Sequence, residues 1–409
     1  MAHQKEISLN TATGKSLVLP LYRGPFQNNG ATPWYCELGI GTPNQKLKIC
    51  FDTGSNFNWV TSSLCSKEGC KHYADARFNI DCSTSFTMLN PKKQLVSFGP
   101  WGKMQVKTGR DKLSLPYKAK QNELFADLFL AVEYSGSQFE ELDWDGGIGL
   151  ASYQSDGLAS VSNVSPFRMH YSKSNDESEF HFFLQLVQQG IVSASRPYLS
   201  FQTELMSGGE SVGSIGFGEL DTSYVSSREY IFMPWSCYQE EASYLWSSSG
   251  ATVSVDGETA GSNMFFTLDS GSSQFKGDDK VLTTLFTATQ GKNPVVSISL
   301  FGDDKSLKQP YGEFEITSDI YKCKIEAGEK KGQVVSQFQG LSDAENMLLV
   351  GSVLMDHLYT VYEYDVVSDD DIQPKGVWVF NKPGGPDIIK TKQSTPASLF
   401  NNVDGKYHE

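Results

Sequence analysis

Two four-residue groups, Asp52-Thr53-Gly54-Ser55 and Asp269-Ser270-Gly271-Ser272, state the same chemistry twice in this sequence. Each follows apolar-leaning residues, in "ICFDTGSNF" and in "FTLDSGSSQF". A lone carboxylate gains nothing from an apolar strand, because burying an unpaired charge is costly. Two carboxylates brought together behave differently. They cannot both ionise, since like charge and low dielectric raise one pKa and leave a shared proton. The ionised acid then acts as base toward a water while the protonated one polarises a carbonyl. Neither a metal nor a covalent nucleophile is needed. The neighbours fit this task. Gly54 and Gly271 leave the backbone bare for a tight turn. Thr53 and Ser270 can hydrogen-bond across to hold the turns in register, and Ser55 and Ser272 can donate to the outer carboxylate oxygens. An ordinary Asx-type turn explains one Asp-Thr-Gly, but not its recurrence.

The elements around the two turns repeat as well. The acids lie 217 positions apart, and each is followed by a segment in which apolar residues lead into glycine: "DGGIGLAS" and "MLLVGSVL". Two lobes related by a pseudo-twofold axis would produce this order. Residues 1–213 form the N-terminal lobe and 214–409 the C-terminal lobe, each near the usual size of a domain. Most of the chain is short apolar stretches broken by Gly, Asn, Asp and Ser, which reads as many strands joined by tight turns. "WYCELGIG", "LKICF", "FNWVTS", "YLSFQTE", "GSIGFGEL", "ATVSVDG", "NMFFTLDS" and "GVWVFN" are the expected strands. Asp256-Gly257 marks a hairpin. One helix is expected in "ESEFHFFLQLVQQG", with Phe182, Phe183, Leu186 and Val187 on one face and Gly190 as its stop. The fold class is therefore all-β, mainly strands with a few short helices. Regular βαβ alternation is absent, which excludes a doubly wound sheet.

Composition narrows the partners. The 409 residues carry a net charge of −14, 39% hydrophobic residues and 37 glycines. That charge argues against nucleic acid or an anionic membrane as partner. No run of about 18 apolar residues could span a bilayer. The first residues hold no apolar signal core, so the expectation is a cytoplasmic protein, or one whose leader was removed. The six histidines form no His-Glu-x-x-His pattern and the seven cysteines no zinc spacing, so neither metal nor cofactor is expected. Cys65 and Cys70 can close a small loop if the compartment is oxidising. Cys36, Cys50, Cys82, Cys237 and Cys323 are expected as buried free thiols.

From residue 34 to 382 the chain resembles the pepsin-like aspartic peptidases. The match is carried by "WYCELGIGTPNQKLKICFDTGSNFNWV", "CSKEGC", "RFNIDCSTSF", "DWDGGIGLAS", "FFLQLVQQGIVS", "GSIGFGELDTSYV" and "LLVGSVLMDHLYTVYEYD", in family order. Within the family it is most similar to the bacterial pepsin homologues called shewasins. The resemblance implies a bilobal β fold with a central cleft, and a monomer that cuts polypeptide substrates in acid and binds pepstatin-type inhibitors. It implies Asp52 and Asp269 as the catalytic pair. It also implies a flap at Phe98 and Gly99, where the family carries tyrosine, facing Trp59. Loss of the tyrosine hydroxyl removes a bond to that indole. Phe139, Trp144 and Trp246 would line substrate pockets, with Ser273 at the edge of the second turn, so bulky apolar residues are expected on both sides of the scissile bond. Ser352 stands where many members have an acid. The segment with Lys15 and Arg23 is expected to join the sheet between the lobes rather than plug the cleft. A non-catalytic binding protein with the same cleft is the alternative reading. A glycosidase pair is disfavoured by the shared-turn symmetry.

Overall fold

The computed structural model describes residues 16–97, 102–116, 123–152, 181–205, 211–225, 229–303, 307–368 and 371–392. The expected flap residues Phe98 and Gly99, the neighbouring Trp101, and Lys15 lie outside them. Among the described residues strands dominate, gathered into a 13-stranded and an 8-stranded sheet.

The strand Gln45–Asp52 shows how the sequence places an acid. It buries Leu47, Ile49 and Phe51 on one face. Phe51 packs against Phe182 and Phe217 with ring centroids 5.6 and 5.7 Å away. Each such side chain contributes roughly 1.5–3 kcal/mol on burial. A slip of one residue would turn all three to the wrong face. Asp52, at the strand's end, is therefore aimed by the apolar residues before it.

The chain then returns as Asn58–Thr61, and a third strand, Gly146–Gly149, lies between the two. It runs parallel to the first, Asp52 opposite Gly149, and antiparallel to the second, Asn58 opposite Ile148. The same arrangement recurs around Asp269. Glu258–Leu268 leads into the acid and Phe275–Asp278 returns, with Met347–Val350 between them. Leu268 and Phe275 both stand opposite Val350. Each return strand also has a parallel outer neighbour, Glu123–Ser135 in one case and Phe338–Leu341 in the other. The echo seen in the sequence is thus an echo of topology.

A run of antiparallel strands joins these two regions. Leu17–Arg23 pairs with Ser211–Phe217, which pairs with Tyr198–Leu205. Leu358–Ser368 and Asp371–Asn381 follow in order. The N-terminal strand therefore lies in the sheet, and Arg23 reaches Glu326 at 2.8 Å.

Some local expectations shift. The helix read in "ESEFHFFLQLVQQG" spans Phe182–Gln188, capped by His181, while residues 153–180 lie outside the described part. The Asp256-Gly257 hairpin forms with both residues at positive φ, 48° and 83°. A helix forms at Asp279–Thr289, where the sequence pattern predicts none. Its threonine-rich stretch has the look of a strand, but Asp278 caps it and Val281, Leu282 and Leu285 are buried. Five cysteines are free, yet only Cys36 and Cys50 are buried; Cys82 and Cys237 are exposed and Cys323 is half-buried.

Candidate active site

The two acidic turns meet. Thr53 N donates to Ser270 Oγ at 3.0 Å and Ser270 N to Thr53 Oγ1 at 2.9 Å. Each hydroxyl then donates to the chain before the opposite acid: Thr53 Oγ1 to Leu268 O at 3.1 Å, Ser270 Oγ to Phe51 O at 2.7 Å. Four reciprocal bonds lock one turn onto the other. All four groups are buried, so each bond also spares a buried polar group from standing unpaired.

Within each turn the glycine N–H points at its own acid. Gly54 N donates to Asp52 Oδ1 at 2.8 Å, and Gly271 N to Asp269 Oδ1 at 2.9 Å. The glycines also permit the approach. A Cβ on Gly54 would stand 2.6 Å from Asp269 Oδ1, and one on Gly271 2.2 Å from Asp52 Oδ1. Any side chain at either position would wedge the acids apart. Behind the turns Gly351 has the same role, since a Cβ there would meet Ser272 O at 2.2 Å.

Each carboxyl packs against the glycine of the opposite turn, which brings Asp52 and Asp269 together. Burial, then the charge of Asp269, pushes Asp52 well above the usual carboxylate range, against the Gly54 N–H and the charge of Lys276. Two interacting carboxyls titrate as a pair, not as separate groups. It can take a proton at one oxygen and give one at another.

The support is not symmetric. Ser272 Oγ donates to Asp269 Oδ2 at 2.6 Å, as its spacing implies. Ser55 Oγ instead accepts Phe57 N at 3.4 Å. Ser273 is buried, its N–H donating to Gly30 O at 3.0 Å.

The aromatic residues named from the sequence fall into two groups. Trp59, Phe139 and Trp144 belong to one cluster with Tyr134, whose ring stacks on Phe139 at 4.8 Å and meets Trp59 edge-on at 6.0 Å. Trp144 Nε1 donates to Thr32 O at 3.1 Å. Trp246 lies elsewhere, only 1% exposed, between Tyr362 and Tyr364, with Nε1 donating to Leu150 O at 2.9 Å. Cys65 and Cys70 form a disulfide with Cα atoms 6.0 Å apart. Ser352 is buried and opens the short helix Ser352–Met355.

Residues 33–368 match the family model described as eukaryotic aspartyl protease. The chain belongs to that family. Its relatives include pepsin A of Bos taurus, 26% identical over 349 residues with 83% of each chain covered. Cathepsin D of Dictyostelium discoideum is 24% identical over 353 residues, again covering 83% of each. Cathepsin D of Gallus gallus is 25% identical over 350 residues, covering 81% of this chain and 78% of its own. This aspartyl protease is thus a hydrolase of the endopeptidase class with the bilobal β fold, and polypeptides are its substrates. No described helix is long and apolar enough to cross a membrane.

Two residues near the acids escaped the sequence reading. Lys276 stands one position beyond the quoted echo, and its signal was a lysine inside a return strand. Tyr244 is the other: the charges of Asp52 and Asp269 add to burial in pushing its phenol above the ordinary range.

Proposed function

We propose that Asp52 and Asp269 are the catalytic pair, activating one water against the scissile carbonyl of an extended polypeptide. The observation that carries this is the approach of each carboxyl to the opposite turn's glycine inside four reciprocal turn bonds. The ionised acid takes the proton of the water as its oxygen attacks the carbonyl carbon. The protonated acid donates to the carbonyl oxygen, giving a tetrahedral gem-diol. Collapse of that species returns a proton to the leaving amine. The glycine N–H groups and Ser272 hold the carboxylate oxygens still throughout.

Finer properties follow from the same reading. A pair that must hold one proton works in acid, since ionising both acids removes the donor. A statine-type hydroxyl, as in pepstatin, would occupy the place of the water. The aromatic cluster of Trp59, Tyr134, Phe139 and Trp144 beside the first acid supports a preference for bulky apolar side chains at the cut. The division into lobes at about residues 213 and 214 passes through the strand Ser211–Phe217, which belongs to the connecting sheet. One monomer then supplies both acids. The Cys65–Cys70 disulfide supports an oxidising compartment over the cytoplasm.

Digestion of a denatured protein between pH 2 and 8, with and without titrated pepstatin, tests this. Cleavage confined to acid and stopped at one equivalent of inhibitor is expected. Cleavage that persists near pH 8 or ignores pepstatin overturns the reading.

A further inference from the structure

Counting seven residues from each acid reaches Trp59 in the first turn and Lys276 in the second. The twofold relation therefore sets a cation where the other half has an indole. Lys276 is 2% exposed on the strand Phe275–Asp278. Its neighbours across the sheet are the uncharged Gln339 and Leu349. Its ammonium donates to Gly30 O at 2.7 Å and to Ser272 Oγ at 3.3 Å. Ser272 in turn donates to Asp269 Oδ2. Gly30 is fitted to this contact: at φ 89°, a Cβ there would lie 2.8 Å from the Lys276 ammonium. A buried ammonium costs several kcal/mol unless charge and hydrogen bonds repay it. Asp269 and Asp52 are among the charges that act on it.

We propose that Lys276 is a positioning residue for the acid pair, its ammonium acting through Ser272 and through space to keep the pair singly ionised at lower pH than two buried carboxyls alone would allow. The inference rests on the reading of Asp52 and Asp269 as the catalytic pair. Although burial draws Lys276 down to about 8, it stays protonated throughout acid conditions. Its charge opposes each protonation of the pair, so it lowers both the acid and the basic limb of the activity profile. It also ties residues 28–32 to the second turn, because Thr32 N donates to Gly271 O at 3.0 Å beside the Gly30 bond.

The test is the pH profile of kcat/KM on a soluble peptide for the wild type, Lys276→Met, Lys276→Arg and Ser272→Ala. Lys276→Met, similar in length and uncharged, is expected to move both limbs upward by about one pH unit, the lower bound for an opposite charge at close range. One unit below the wild-type acid midpoint, its kcat/KM as a fraction of its own maximum is then about tenfold below the wild type's fraction. Lys276→Arg keeps the limbs in place, because charge and not shape sets them. Ser272→Ala shifts them in the same direction as methionine by cutting the bonded path. Superimposed profiles for the wild type and Lys276→Met overturn the proposal, as does an arginine variant that shifts like methionine. If Lys276→Met does not fold, Lys276→Gln takes its place: unmoved limbs overturn the proposal and limbs shifted upward support it. Asp52→Asn and Asp269→Asn run alongside. Activity retained there refutes the catalytic pair itself, whereas inactivity there with unmoved Lys276→Met limbs refutes the lysine's role alone.

Discussion

At the scale of single residues, Thr53 and Ser270 explain why the acids meet rather than merely lie near each other. Two like charges repel, and burial makes ionisation costlier still. The opposing force is a set of four bonds made by two hydroxyls and two N–H groups, none of them ionisable. Thr53→Val keeps the shape but leaves the Ser270 N–H buried without an acceptor. The expected cost is about 1–3 kcal/mol of stability, read as a lower urea midpoint with unchanged slope. Valine and alanine together, in Thr53→Val with Ser270→Ala, should cost less than the sum of the single changes, because each removes part of the same interlock. The acids, glycines and hydroxyls of the turns were legible in the sequence because they recur as a four-residue pattern. Lys276 was not, since a single lysine in a strand has no pattern to repeat, and only the fold brings Gly30 and Ser272 to it. Ser55 shows the limit of symmetry: the same residue type at the same spacing makes a different bond.

At the scale of elements, the short helix Phe182–Gln188 carries a second pH-dependent feature. Its cap is His181, whose Nδ1 accepts Leu184 N at 3.3 Å while Nε2 donates to Ala151 O at 3.0 Å. Both bonds together require the neutral ring, and burial holds His181 down to about 4. The folded pKa thus lies below the unfolded value of 6.5. Stability from this group is present above the unfolded value and is lost as pH falls toward the folded one. At pH 4.5 the loss is on the order of 2 kcal/mol relative to neutrality. His181→Asn keeps a capping oxygen without a titrating ring. Denaturant unfolding at pH 7 and 4.5 should therefore show a smaller drop for the variant than for the wild type. An equal drop in both would mean that the cap does not control acid stability here. The helix was legible from its phenylalanines and Gly190, while its cap was not, since histidine is not a usual capping residue. The helix Asp279–Thr289 went unread because threonine favours strands locally, and only packing of Val281, Leu282 and Leu285 overrides that preference.

At the scale of the whole molecule, two copies of one topology each bring an acid to the end of a strand and insert a third strand behind it. The order of motifs foretold this, because both the acidic turn and the later apolar-glycine segment appear twice. The connecting sheet was less legible. Its strands are Leu17–Arg23, Tyr198–Leu205, Ser211–Phe217, Leu358–Ser368 and Asp371–Asn381, and no local signal says that segments so distant pair with one another. Acid conditions pull this molecule in opposite directions. Asp52, raised by burial and Asp269, and Asp356, raised by burial, both favour the folded state as pH falls. His181 and His357, each lowered to about 4 by burial, oppose it. These contributions offset one another in part as pH falls.

The central claim is that one proton shared between residues 52 and 269 performs the hydrolysis. The most direct measurement is kcat/KM on an apolar peptide at acidic pH for Asp52→Asn and Asp269→Asn, with circular dichroism to establish that each variant folds. Asparagine keeps the size and the acceptor oxygen but cannot share a proton. The account predicts that either change lowers kcat/KM by at least about a thousandfold in a folded protein. A folded variant of either residue within tenfold of the wild type would contradict it.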